Sequence, residues 1–134
     1  MIKANEFRIG NLIKYKIKDK LEWEVVAVNA SDFPFLQLAE KSNAIDVHYK
    51  AIPLTPEILE NCGFKRPVVN GEAIPFFKKS RYTIFEISSG VFEFTVDSAI
   101  LFKKMEYLHH LQNLYYFLIG EELAVDQSSL NNIR

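Results

Sequence analysis

Apolar and polar residues alternate most cleanly between residues 11 and 28. Ile13, Tyr15 and Ile17 interleave with Lys14, Lys16 and Lys18, and Leu21, Trp23, Val25 and Ala27 then interleave with Glu22 and Glu24. A period of two marks strands with one covered face, so the segment predicts a hairpin. Its register follows from matching faces. A two-residue connection would set Lys16 opposite Trp23. An odd loop such as Lys18-Asp19-Lys20 instead pairs Tyr15 with Trp23, Lys16 with Glu22 and Lys14 with Glu24. The odd loop is the expectation, because cross-strand charge pairs then account for the row of lysines without a nucleic-acid partner.

The pattern turns helical near the C-terminus. At about 100° of rotation per residue, Leu108, Leu111, Leu114, Tyr115, Leu118 and Ile119 share one broad face of a helix over Tyr107–Gly120, with Met105 and Tyr107 at its borders. Glu106, His109, His110 and Asn113 gather opposite, on what reads as a solvated face. Gly120 follows the last apolar position, where glycine ends a helix in the left-handed conformation.

Between these lie shorter signals. Phe33–Leu38 and Asp46–Ala51 read as strands separated by a polar turn at 40–43. Thr55 is placed to cap a small helix, with Pro56 at its first position, Glu57 complementing the dipole, and Gly63 ending it. Residues 64–74 read as loop. Tyr82–Ile87 and Val91–Val96 form a second hairpin around Ser89-Gly90; pairing 88 with 91 sets Ile87 against Phe92, Phe85 against Phe94, and Glu86 opposite Glu93. Ala99–Lys103 fits a last strand or an early start of the long helix, and we take the strand. The predicted domain is residues 1–123, with 124–134 a flexible polar tail.

Composition narrows the class. The 134 residues suffice for one core, and the 11 Phe and 6 Tyr favour strands and large buried contacts. A net charge of −1 excludes a global field toward nucleic acid or anionic membrane. Cys62 is the single cysteine, so an internal disulfide is ruled out. The first ten residues lack the apolar core of a signal peptide, and no apolar run reaches the roughly 20 residues of a spanning helix. A cytoplasmic protein without membrane partners is the expectation; the Asn29-Ala30-Ser31 glycosylation triplet then has no use. The fold expected is α+β. A curved antiparallel sheet of about five to seven strands, open or barrel-like, packs on the C-terminal helix, and the Thr55 helix closes one end.

Three blocks carry a resemblance: Arg8-Ile9-Gly10-Asn11; Ile52-Pro53-Leu54-Thr55 with Cys62-Gly63-Phe64; and Tyr107 to Tyr116 (YLHHLQNLYY) through Gly120-Glu121-Glu122-Leu123. Across nearly its whole length the chain resembles a family of short uncharacterised proteins of Bacteroidota and of their phages, prophages and mobile elements. The resemblance implies a mobile-element setting and brings no catalytic residues. His110 stands where that motif usually has glutamine.

Chemistry could sit in three places. Glu106, His109 and His110 share a helix face at metal-ligand spacing, but a second Glu-x-x-His or His-x-x-x-His is lacking, so no metal and no cofactor are expected. Glu86 opposite Glu93 would raise one carboxylate's pKa, yet no nucleophile accompanies the pair. The span from Phe64 to Tyr82 sets Lys65, Arg66, Lys78, Lys79 and Arg81 against Glu72 alone, interleaved with Phe76, Phe77 and Tyr82. Charges for phosphates and rings for stacking would suit a nucleic-acid module. Phosphate loops, Cys-x-x-Cys and Gly-x-Ser-x-Gly are absent, and Cys62 reads as a small buried apolar residue. The leading expectation is therefore a non-enzymatic binding protein acting on a host or phage protein, its contacts at Tyr116, Phe117, His109 and Asn113; interference with a host system would fit that setting. The alternative is nucleic-acid binding through the 64–82 segment.

Overall fold

Strand β1 (Leu12–Tyr15) is the wall between two cores. In the computed structural model, which describes residues 2–16 and 20–130, it lies between antiparallel partners β2 (Glu24–Ala27) and β3 (Tyr49–Lys50). Leu12 and Val25 belong to the larger core, Ile13 and Val28 to the smaller. Alternation sends successive side chains to opposite faces, so a strand covered on both sides is apolar on both.

The hairpin register differs from the expected one by one residue. Ile13 pairs with Val26 and Tyr15 with Glu24, which leaves an even number of residues between the strands. Ile17 of the expected first strand and Lys18 and Asp19 of the expected loop lie outside the described residues. The slip moves Trp23 to the lysine face, where Lys50 Nζ lies 4.4 Å and Lys16 Nζ 5.1 Å from its ring centroid. Cation–π contact with one tryptophan replaces the expected Lys–Glu pairs.

Phe33–Leu38 is not a strand but the first part of helix α1 (Phe33–Lys41). A 3₁₀ turn at Ala30–Asp32 leads into it, with Asn29 N–H donating to Asp32 Oδ2 (2.8 Å) and Ser31 N–H to Asn29 Oδ1 (3.0 Å). Pro34 sits in the first turn, and Phe33, Leu36 and Ala39 meet the smaller core at a spacing of three, which only a helix produces. Asp46–Ala51 likewise splits into a single-turn helix α2 (Ile45–His48) and the short β3. Helix α3 (Pro56–Asn61) forms as its cap predicts, Thr55 Oγ1 accepting the Ile58 N–H at 3.2 Å.

The 64–74 segment carries a small ladder, β4 (Val68–Val69) with β5 (Glu72–Ala73), closed by Asn70-Gly71 with φ of 53° and 80°. Both residues in the left-handed region is the primed turn that two-residue hairpins use. A four-stranded antiparallel meander follows: β6 (Phe76–Lys79), β7 (Tyr82–Ser88), β8 (Val91–Val96) and β9 (Ala99–Met105), the last being the strand expected there. Ser88 pairs with Val91, but a bulge at Ile87 then sets Glu86 against Phe92 and Phe85 against Glu93. Ile87 and Phe85 are consequently exposed, while Ile84, Phe92 and Phe94 fill the core.

Helix α4 (Leu108–Ile119) lays Leu108 and Leu111 into that core and ends at Gly120 with φ 79°. The class is α+β with antiparallel sheets and a C-terminal helix, as expected. The single curved sheet is not found: the described residues form three separate sheets, and none of these closes into a barrel. Residues 124–130 are not a free tail either. Leu130 is 2% exposed at the end of helix α5 (Gln127–Leu130), and Gln127 Nε2 donates to Val25 O at 3.0 Å. Among the described residues no helix is long and apolar enough to cross a membrane.

Candidate functional site

Gln112 and Asn113 of α4 are polar because they bind the N-terminal segment, largely through its backbone. Gln112 Oε1 accepts the Leu12 N–H (2.9 Å), and Gln112 Nε2 donates toward Gly10 O (3.4 Å). Asn113 Nδ2 donates to Glu6 O (3.1 Å), while Asn113 Oδ1 accepts from Asn11 Nδ2 (2.7 Å) and Arg8 Nε (3.2 Å). The N-terminal segment thus lies across the first half of α4, and His109, Asn11 and Gln112 are buried between them. Residues 52–54 grip the entrance of the same helix: Leu54 N–H donates to Glu106 O (2.9 Å) and Leu108 N–H to Ile52 O (2.8 Å). The sequence blocks around Arg8, Ile52 and Gln112 are therefore the joints of the fold. Reading that helix face as solvated was wrong, since periodicity cannot tell water from a loop's amides as the polar partner.

Past this joint the helix emerges. Tyr116 is 41% exposed and Phe117 82% exposed. The Arg8 guanidinium lies 4.2 Å from the Tyr116 ring centroid and is gripped by the Glu122 carboxylate, with Nη2 to Oε2 at 3.0 Å. That grip raises the Arg8 pKa further. Arg8 of the N-terminal segment is thus held against Tyr116, and Phe117 follows it exposed on the same helix. His109 cannot join such a surface, being wholly buried, and Asn113 spends its amide on the N-terminal loop.

Beside the joint is a cluster that spacing alone did not reveal. Glu6, on the 3₁₀ turn Ala4–Glu6, brings Oε1 to 3.4 Å from His109 Nε2 and 3.8 Å from His110 Nε2. Its other oxygen accepts the Lys3 N–H at 2.7 Å. His109 stacks on Tyr107 (5.7 Å, 12°) and tilts against Phe7 at 4.6 Å. Burial, reinforced by His110 and opposed by Glu6, holds the His109 pKa down at about 4. Burial also lowers that of His110, against the pull of Glu6 and Glu106. Only a long-range partner a hundred residues away completes this group, which local patterns do not register.

The basic segment disperses. Phe77 is buried, with Arg66 packed 4.5 Å over its ring. Lys79 Nζ donates to Cys62 O (3.2 Å) at the end of α3 and lies 4.9 Å from the Tyr115 centroid. Arg81 pairs with Asp97 across the β7–β8 end, Nε to Oδ2 at 3.1 Å. Tyr82 packs into the core beside Phe94, and Phe76 against Phe85. Lys65 and Lys78 remain exposed, directly opposite each other in an isolated bridge. The stacking platform expected of this segment does not form. Glu86 and Glu93 are not opposed either: the bulge places them on opposite faces of the sheet.

A groove of about 620 Å³, which depends on α1 and so was illegible in sequence, runs between that helix and the β1 sheet. Ile13, Tyr15, Val26 and Tyr49 form its floor, and exposed Phe35 and Leu38 its rim. Burial raises the Tyr49 pKa, with Tyr15 and Asp32 acting in the same direction, so its hydroxyl stays protonated near neutrality.

Cys62 is buried as expected, and desolvation pushes its thiol up to about 12. Because the thiolate is the nucleophile, iodoacetamide should leave native Cys62 unmodified near neutral pH and label it once urea unfolds the chain. Mass spectrometry of the two samples checks this; rapid native labelling would refute the burial argument.

No family model, no curated protein and no solved structure matches the chain.

Proposed function

We propose that this protein is a non-enzymatic binding protein of the cytoplasm that engages another protein through the Arg8–Tyr116–Phe117 surface. The observation that carries this reading is the exposure of Phe117 on helix α4, next in the chain to Tyr116, on whose ring the Glu122-paired Arg8 is stacked. Aromatic and arginine side chains dominate interface hot spots, and rigid ones lose little entropy on binding. The resemblance to proteins of phages and mobile elements favours a host or phage protein as partner. It also favours interference with a host system as the role. The nucleic-acid alternative has less support, because Phe77 and Tyr82 are spent on the core and Arg81 on Asp97.

The test begins with capture from nuclease-treated host lysate, followed by purification of the captured protein and measurement of its affinity for the pure chain. Phe117→Asp should weaken binding about 30-fold or more, the effect of losing a hot spot of about 2 kcal/mol, while the melting temperature stays within about a degree, as expected for an exposed site. Lys65→Glu with Lys78→Glu should leave the affinity unchanged. Binding that resists Phe117→Asp, or capture that disappears with nuclease and with the lysine reversals, overturns the reading in favour of nucleic acid.

A further inference from the structure

We propose that Glu6, His109 and His110 form a binding site for one first-row divalent transition ion, Zn²⁺ by donor chemistry. One carboxylate oxygen and two imidazole nitrogens are the borderline donor set that zinc, copper and nickel take, whereas calcium and magnesium prefer all-oxygen sites. The three donor atoms lie within 4.8 Å of one another. Tetrahedral zinc with bonds of about 2.0–2.2 Å spaces its ligands roughly 3.3–3.6 Å apart. The His109–Glu6 separation of 3.4 Å already meets that spacing, and the His110–Glu6 separation of 3.8 Å nearly does. As hydrogen bonds both are long.

Three further observations point the same way. Adjacent helix positions diverge by about 100°, yet the two rings lean together with centroids 4.5 Å apart. Each is fixed from behind by aromatic packing, His109 by Phe7 and Tyr107 and His110 by Phe102 at 5.7 Å. The Lys3 N–H, by occupying Oε2, leaves Oε1 of Glu6 toward the imidazoles. Finally, the wholly buried His109 ring has no partner on Nδ1 and nothing nearer than 3.4 Å on Nε2 among the described residues. Buried polar atoms are seldom left so poorly engaged. An ion bonded to Nε2 replaces that long contact with a coordinate bond; it does not reach Nδ1.

Three protein ligands leave a coordination position for water, as in open zinc sites. A polar cavity of about 510 Å³, lined by Glu6, Asp46, Lys50, Glu106 and Tyr107, supplies the entry path, and its carboxylates outnumber the one lysine. The bound ion would tie the N-terminal turn to α4.

The test is calorimetric titration of Zn²⁺ into the tag-free, metal-stripped full chain near neutral pH, paralleled by Co²⁺ absorption spectroscopy. One equivalent should bind, with intense tetrahedral Co²⁺ bands in the visible. His110→Gln and Glu6→Gln, both at partly exposed positions that keep side-chain size, should fold normally by circular dichroism. Each should weaken binding about 100-fold, at least as much as losing an outer-shell partner. His48→Gln, at the third histidine, should change nothing. Absence of binding, equal binding in all variants, or a loss with His48→Gln would each overturn the assignment.

Discussion

Asn11→Ala is expected to lower the stability of the fold by about 3 kcal/mol. The side chain is fully buried, accepts the Arg8 N–H at 2.7 Å and donates to Asn113 Oδ1 at 2.7 Å. Alanine leaves the part-buried Arg8 amide without its acceptor, at a cost of about 1–3 kcal/mol. The Asn113 oxygen keeps Arg8 Nε as a weaker partner, so its loss is partial, and the small void adds the remainder. Urea denaturation should show a lower midpoint with an unchanged slope. Asn11→Asp separates the two contributions. It keeps an acceptor for Arg8 but turns a carboxylate oxygen toward Asn113 Oδ1, so it should be about as harmful as alanine if the donor matters. A loss below about 0.5 kcal/mol in Asn11→Ala would mean that the joint is dispensable.

The second large effect is on acid stability, measured in chelator so that no ion contributes. Unfolded, His109 titrates near 6.5; folded, burial and His110 hold it at about 4, with Glu6 compensating only in part. Between those values the unfolded chain binds the extra proton, so stability rises with pH. The contribution is fully present above about 6.5 and is lost as pH falls toward 4. The difference corresponds to about 3 kcal/mol at 1.36 kcal/mol per pKa unit. His110, also lowered by burial, adds to the same slope. Urea midpoints measured from neutrality down to pH 4 should fall accordingly. His109→Gln should flatten the profile, and an unchanged slope in that variant would place the titrating group elsewhere.

How much of this was legible in the sequence depended on whether the deciding partner was near or far along the chain. The α4 leucines, the Thr55 cap and the Ser89-Gly90 turn rest on contacts within a few residues, and each was found where expected. Helix α1 was misread although its signals were local. Phe33 and Phe35 look alternate, but Pro34 in a first turn behind the Asn29–Asp32 pair is a helix start. The hairpin register was decided by Trp23 recruiting Lys50 from a third strand, a choice invisible to pairwise charge matching. The bulge at Ile87 removed the Glu86–Glu93 opposition, and no residue there announces it. The largest error concerned polarity itself. His109 and Asn113 read as water-facing, yet His109 is wholly buried and Asn113 bonds the backbone of the N-terminal segment. Of the candidate site, helical phase placed Tyr116 and Phe117 off the apolar face, and the fold leaves both exposed. Glu6 was not, because it meets its histidines only through the closed fold.

The joint between the N-terminal segment and α4 also sets an order of events during synthesis. Its hydrogen bonds span 100 to 107 residues of chain. Leu12, Arg8 and Glu6 therefore leave the ribosome long before Gln112 and Asn113 exist. At about 5–20 residues per second, the wait lasts roughly 5–20 seconds. Through that interval the smaller core can condense around β1, but the other face of the strand stays uncovered. Leu12 and Val25 are then the apolar surface that a nascent-chain chaperone would meet first, until α4 arrives and displaces it.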